Sequence, residues 1–103
     1  MNEKYLISII IPSYNRYTKT KKLISNFVKF DSKLIEIIVI DDGSLDNTSN
    51  LTNDFQLINF KYFKIKNSER GFARNFGLSK SSGLYINFFD SDDLPLNNHI
   101  DVA

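Results

Sequence analysis

A chain of 103 residues is long enough for one domain with one hydrophobic core and too short for two. Hydrophobic residues make up 42% and charged residues 24%, ordinary globular usage that excludes wholesale disorder. The 13 Lys and Arg nearly balance the 12 Asp and Glu, so no electrostatic case exists for nucleic acid or an anionic membrane as main partner. With no cysteine, disulfides, thiolate metal sites and a Cys nucleophile are excluded.

Residues 5–11 (YLISIII) form an apolar, β-branched run that predicts a strand buried on both faces. The run is far shorter than the about 20 residues a membrane helix needs. It also lacks a signal-peptide cleavage site, so a cytoplasmic location is the expectation. Next, Leu23, Ile24, Phe27 and Val28 recur at helical spacing, with Lys19, Lys22, Ser25 and Asn26 largely on other faces. Residues 34–40 (LIEIIVI) predict a second buried strand. A weaker helix is expected to start near Asp46 and to bury Leu51 and Phe55. In residues 60–66 lysines alternate with aromatics, which suits an edge strand open to solvent. A third helix is expected over about 71–80, where Phe72 and Phe76 stack at i, i+4 and Arg74 projects from the opposite side. Residues 84–89 (LYINFF) read as a fourth, central strand, with Phe88 and Phe89 in the core.

Strands alternating with helices predict a parallel α/β sheet with right-handed crossovers. If the polar third strand is the edge, the order is 3-2-1-4, a Rossmann-like arrangement. Strands one and four are then neighbours whose connections leave on opposite sides, which makes a crevice at their carboxyl ends. Residues 12–16, 41–44 and 90–93 should meet at that rim.

The rim segments hold the residues suited to chemistry. Asp90 and Asp92 would point to one side of an extended backbone and Asp93 to the other. Two carboxylates so placed suit a hard divalent cation, Mg²⁺ or Mn²⁺; the alternative is a solvated acidic turn capping a helix near Pro95. In Asp41-Asp42-Gly43, a carboxylate could accept hydrogen bonds from a nucleobase or ribose, or the segment could be an ordinary turn, and both can hold at once. The Arg74 fork suits a diphosphate, although a solvent-facing helical arginine reads the same way. Tyr14 and Asn15 could line a base pocket, or Tyr14 could simply pack at the strand end. His99 has no evident role. Neither a dinucleotide fingerprint, a P-loop nor a nucleophile elbow occurs.

Taken in order, SIIIPSYNR, IEIIVIDDGSLDNT and RGFARNFGLSKSSGLYINFFDSDD resemble the GT-A fold glycosyltransferases of the family-two type, over about residues 8–93. The resemblance implies that the chain is the N-terminal, nucleotide-sugar-binding half of a GT-A fold. Pro12, Ser13 and Tyr14 would flank the nucleotide base, Asp42 would contact it, usually as uracil, and Asp41 would support the same loop. Arg74 would help hold the nucleotide, and Gly77 would let its helix pack closely. Asp90-Ser91-Asp92 matches the D-x-D signature, with Asp90 approaching the ribose or the metal and Asp92 ligating the Mn²⁺ or Mg²⁺ that bridges the diphosphate.

The implied activity is sugar transfer, usually inverting, from a UDP-linked donor to the hydroxyl of a surface polysaccharide or lipid-linked glycan. The expected location remains the cytoplasm, with a peripheral place at the inner face of the membrane. In this family the general base follows the D-x-D in a later segment, and residues 94–103 offer no candidate for it. Residues 1–103 are therefore expected to be a donor-binding part truncated after the D-x-D, able to self-associate through the face left open. A non-catalytic nucleotide-binding module is the alternative. A phosphoryl-accepting α/β domain would need a partner lysine at a later strand end, and none is evident.

Overall fold

The computed structural model describes residues 5–57, 59–66 and 72–89. In chain order these form β1 (Tyr5–Ser13), α1 (Tyr17–Phe27), β2 (Ile35–Asp42), a 3₁₀ turn (Thr48–Asn50) running into α2 (Leu51–Asp54), β3 (Phe60–Ile65), α3 (Phe72–Lys80) and β4 (Gly83–Phe88). All strand pairs are parallel, in the order β3-β2-β1-β4. The fold is thus the α/β arrangement anticipated from the strand polarity, and the solvent-tolerant β3 is an edge.

Alternation along the strands divides the core in two. Ile7, Ile9 and Ile11 of β1 and Ile35, Ile37 and Val39 of β2 face α1 and α2, packing with Leu23, Ile24, Phe27, Leu51 and Phe89. Ile10, Ile38 and Ile40 point to the other face and meet Ala73 of α3. Fully buried side chains of this size each stabilise the fold by about 1.5–3 kcal/mol relative to exposure. Because α1 and α2 cover one face and α3 the other, the crossover side reverses between β1 and β4. That reversal is the topological switch point where open α/β sheets bind ligands.

Close packing of α3 depends on Gly77. A Cβ there would lie 2.5 Å from Ile10 Cγ2 and 3.2 Å from Ile40 Cγ1. Phe72 and Phe76 do stack, their ring centroids 6.3 Å apart, and Phe76 meets Phe63 of β3 edge-on.

Several expectations need correction. Pro12, Ser13, Asp41 and Asp42 belong to the strands themselves and not to the segments after them. The second helix begins as a 3₁₀ turn at Thr48, not at Asp46, and α2 is only four residues long; Leu51 is buried but Phe55 only half-buried. Val28 lies beyond the last turn of α1 and is exposed. Among the described residues β4 flanks the sheet and is not central, so Leu84, Tyr85 and Phe88 stay open to solvent. Phe89 is core, but Phe88, on the α3 face beyond the short helix, is 39% exposed.

One buried charge went unforeseen. Glu36, read as part of an apolar strand, has no exposed surface and lies toward the amino-terminal end of the sheet. Its Oε2 accepts hydrogen bonds from Ser8 Oγ at 2.6 Å, the Ser82 N–H at 2.6 Å and Ser82 Oγ at 3.1 Å. Oε1 faces the Lys61 ammonium at 3.0 Å. Burial pushes the carboxyl up, but the bonds from Ser8, Ser82 and Lys61 outweigh it and hold the group below the usual carboxylate range.

Candidate functional site

The carboxyl ends of β1 and β2 lie side by side, with Ser13 opposite Asp41, and their following loops are tied together by Asn15. Asn15 adopts a positive φ of 52°, a region Asn tolerates better than most residues. In that conformation its Oδ1 accepts the N–H groups of Leu45 at 2.6 Å and Asp46 at 3.2 Å. Its own N–H donates to Ser44 Oγ at 2.8 Å. Asn15 is thus a clamp between the two loops. Its signal in the sequence is the Asn of the tight turn after Tyr14, a residue type that enters the left-handed region readily.

Successive residues of β2 turn the acidic pair to opposite faces of the sheet. Asp41 turns to the α1 side and is fully buried. Its Oδ1 accepts the Ser44 N–H at 2.9 Å, closing the turn through Gly43 at φ 79°, and its other oxygen accepts the Tyr62 hydroxyl. Burial of the Tyr62 phenol, then its bond to the Asp41 carboxylate, pushes its pKa well above the ordinary value. Asp42 alternates to the α3 side and is half-buried at the rim.

Three further sequence candidates come to the rim in different roles. The Ser13 hydroxyl is buried against Thr20 Oγ1 at 2.8 Å, where it fastens α1 to β1, while Pro12 is half-buried beside it. Tyr14 is 44% exposed, available to a ligand in a way that Ser13 is not. Asp46 accepts hydrogen bonds from the Thr48 hydroxyl and N–H and from the Tyr17 N–H at the start of α1. Burial raises its carboxyl, but these bonds prevail and lower it. A shallow cavity of about 240 Å³ lies between this turn and α1, lined by Asn15, Arg16, Lys19 and Asp46 among others.

On the α3 side, Arg74 stands over the ring of Phe88, its guanidinium carbon 5.5 Å from the ring centroid, a cation–π contact. Phe88 is paired with Ile10, and the Phe89 N–H donates to the Ile10 carbonyl at 3.0 Å. The carboxyl end of β4 is therefore anchored on β1, with Arg74 above it and Asp90 next in the sequence. Asp90, Asp92, Asp93 and His99 themselves lie outside the described residues. Among the described residues no cluster of three His, Cys, Asp or Glu could hold a metal ion, and both Asp41 oxygens already accept hydrogen bonds.

Comparison with known proteins decides the family: the sequence model for glycosyl transferase family 2 matches residues 8–102. The chain belongs to glycosyl transferase family 2. Among similar proteins, an uncharacterized glycosyltransferase of Rickettsia bellii is 40% identical over 93% of this chain and 14% of that protein. UDP-Glc:alpha-D-GlcNAc-diphosphoundecaprenol beta-1,3-glucosyltransferase WfgD of Escherichia coli is 35% identical, over 97% of this chain and 40% of that one. Among solved structures, S. aureus TarS 1-349 in complex with UDP-GlcNAc superposes with a TM-score of 0.78 at 30% identity, covering 84% of this chain and 26% of that one. The chain thus spans 14–40% of the length of these relatives.

Proposed function

We propose that residues 1–103 form the donor-binding part of a metal-dependent glycosyltransferase that uses a UDP-linked sugar. The observation that carries this reading is the placement of Asp42 and Arg74 on one face of the switch-point rim. Arg74 sits over the strand that leads directly into Asp90-Ser91-Asp92. The names of WfgD, with its UDP-glucose donor, and of the TarS complex with UDP-GlcNAc support the same donor class.

In this reading Tyr14, with Pro12 and Ser13 behind it, borders the base. The Asp42 carboxylate accepts the imide N–H of uracil, while buried Asp41 holds the turn from which Asp42 projects. The Arg74 guanidinium forks toward diphosphate oxygens, where it stabilises charge developing on the leaving group. Asp90 and Asp92 would hold the Mn²⁺ or Mg²⁺, Asp90 also approaching the ribose; such an ion supplies Lewis-acid neutralisation of the diphosphate. The acceptor in this reading is the hydroxyl of a lipid-linked or surface glycan. In this reading the protein works on the cytoplasmic side, at the inner face of the membrane. No described helix is long and apolar enough to cross a membrane.

Calorimetric titration of UDP with and without Mn²⁺ tests the proposal, on the parent chain and on Asp42→Ala and Asp92→Ala. Binding that needs Mn²⁺, is abolished by Asp92→Ala and is weakened by Asp42→Ala is the expected result. Folded protein that ignores UDP under both conditions would sink it.

A further inference from the structure

The glutamate at the far end of the sheet has no task in donor binding, yet it accepts three hydrogen bonds and faces an ammonium. Its partners explain why. Ser8 lies on β1, Lys61 on β3, and Ser82 precedes β4, so one carboxylate joins all four strands. Ser8 adds a second link, since its Oγ accepts the Gly83 N–H at 2.8 Å. The seat is also shaped for glycine. A Cβ on Gly83 would fall 2.6 Å from Ser8 N and 2.8 Å from the Ile7 carbonyl carbon.

This matters because the apolar pattern of β4 does not select its register. Leu84, Ile86 and Phe88 alternate on the α3 face, and Tyr85, Asn87 and Phe89 on the other. A strand apolar on both sides can slip with little change in what it buries, and two of its large side chains are about half exposed already. A slip of two residues, which preserves facing, would carry the end of β4 about 7 Å along the sheet.

We propose that Glu36 and Ser8 are a register lock for β4. By seating Ser82 and Gly83 at the amino-terminal end, they decide which residues reach the rim, where Phe88 meets Arg74 and the chain passes into Asp90. They are positioning residues acting through a rigid strand from the opposite end of the sheet. The consequence for the donor rests on the function proposed above; the register itself does not.

The test is NMR of the full chain carrying Glu36→Leu, Glu36→Gln or Ser8→Ala, alongside the parent. In the parent, cross-strand contacts pair Phe88 with Ile10 and Ile86 with Ser8. Glu36→Leu is expected to replace them with a shifted or mixed set, while the Ile9–Ile37 contacts between β1 and β2 persist. Glu36→Gln, which keeps an acceptor for the Ser82 N–H, retains the parental pairing. Mn²⁺-dependent UDP affinity should fall with the register, by about 10- to 100-fold, the range seen when support behind a metal ligand is removed. If Glu36→Leu does not fold, Ser8→Ala is read in the same way. Unshifted Phe88–Ile10 contacts in whichever of these two folds overturn the lock, even where affinity drops. A parent chain that does not bind UDP overturns the donor reading instead, and the contact pattern still decides the lock.

Discussion

Gly77→Ala sets two effects of similar size against each other, and the geometry decides between them. Alanine in place of an interior helical glycine gains about 0.8–1.0 kcal/mol of helix propensity. The added Cβ, however, starts 2.5 Å from Ile10 Cγ2, about 1 Å inside ordinary carbon–carbon contact at ~3.5 Å. Ile10 is fully buried on the inner strand β1, and the contacting methyl branches directly from its Cβ, so it cannot swing aside. Relief must come from lifting α3 off the sheet, at a cost in the upper part of the ~1–3 kcal/mol range for overpacking. The net expectation is a loss of about 1–2 kcal/mol. In urea denaturation, with a slope of ~1–3 kcal/mol per molar, that lowers the midpoint by roughly 0.3–2 M. The double variant with Ile10→Ala, which removes the obstructing methyl, should be less destabilised than the sum of the two single changes, by about 1 kcal/mol or more. A Gly77→Ala midpoint equal to or above the parent's would refute the close approach of α3.

Other predictions follow from the buried polar groups. Glu36 has a depressed folded-state pKa, so its contribution to stability is present above the unfolded value of about 4.3 and lost as pH falls through the folded value. Urea midpoints should therefore decline below about pH 4 more steeply in the parent than in Glu36→Gln; parallel declines would remove Glu36 from the account. Tyr62→Phe deprives buried Asp41 of its hydroxyl donor and should cost about 1.5–3 kcal/mol, measured by the same denaturation; a neutral effect would mean that bond is not made. Asn15→Ala removes the acceptor for two loop N–H groups and should weaken UDP binding with only about 1 kcal/mol lost in stability, since those groups are near solvent. Unchanged affinity in calorimetry would show that the loops hold without it.

Strand identity was legible because β1 and β2 are nearly unbroken β-branched runs, and their order followed from the lysines that mark β3 as an edge. Helix extents were less so: the segment after Asp46 carries polar turn residues up to Asn50, and a 3₁₀ turn absorbs them before the four residues of α2. For the acidic pair, alternation along β2 turns Asp41 to the α1 side and Asp42 to the α3 side, which composition alone left open. Glu36 was hidden for a different reason. A lone charge in an apolar run has no local signature, and its partners Ser8, Lys61 and Ser82 stand 25 or more residues away. The clue that could have exposed it is that Ser8 is the polar interruption of β1 and shares its register position with Glu36. Phe88 misled by hydrophobicity: an aromatic residue near Phe89 looked like core but serves as a platform for Arg74.

The Asn15 clamp bears on how quickly and tightly anything could settle on this rim. Two separate loops would each retain conformational freedom, and a ligand bridging them would have to still both, at about 1–2 kcal/mol for every backbone residue immobilised. Here three hydrogen bonds to one asparagine join the loops as the domain folds. The stilling of Tyr14 and the Asp42 turn is thereby transferred from the moment of recognition to the moment of folding. For the donor proposed above, the surface would already be in shape, and more of its contact energy would remain as affinity.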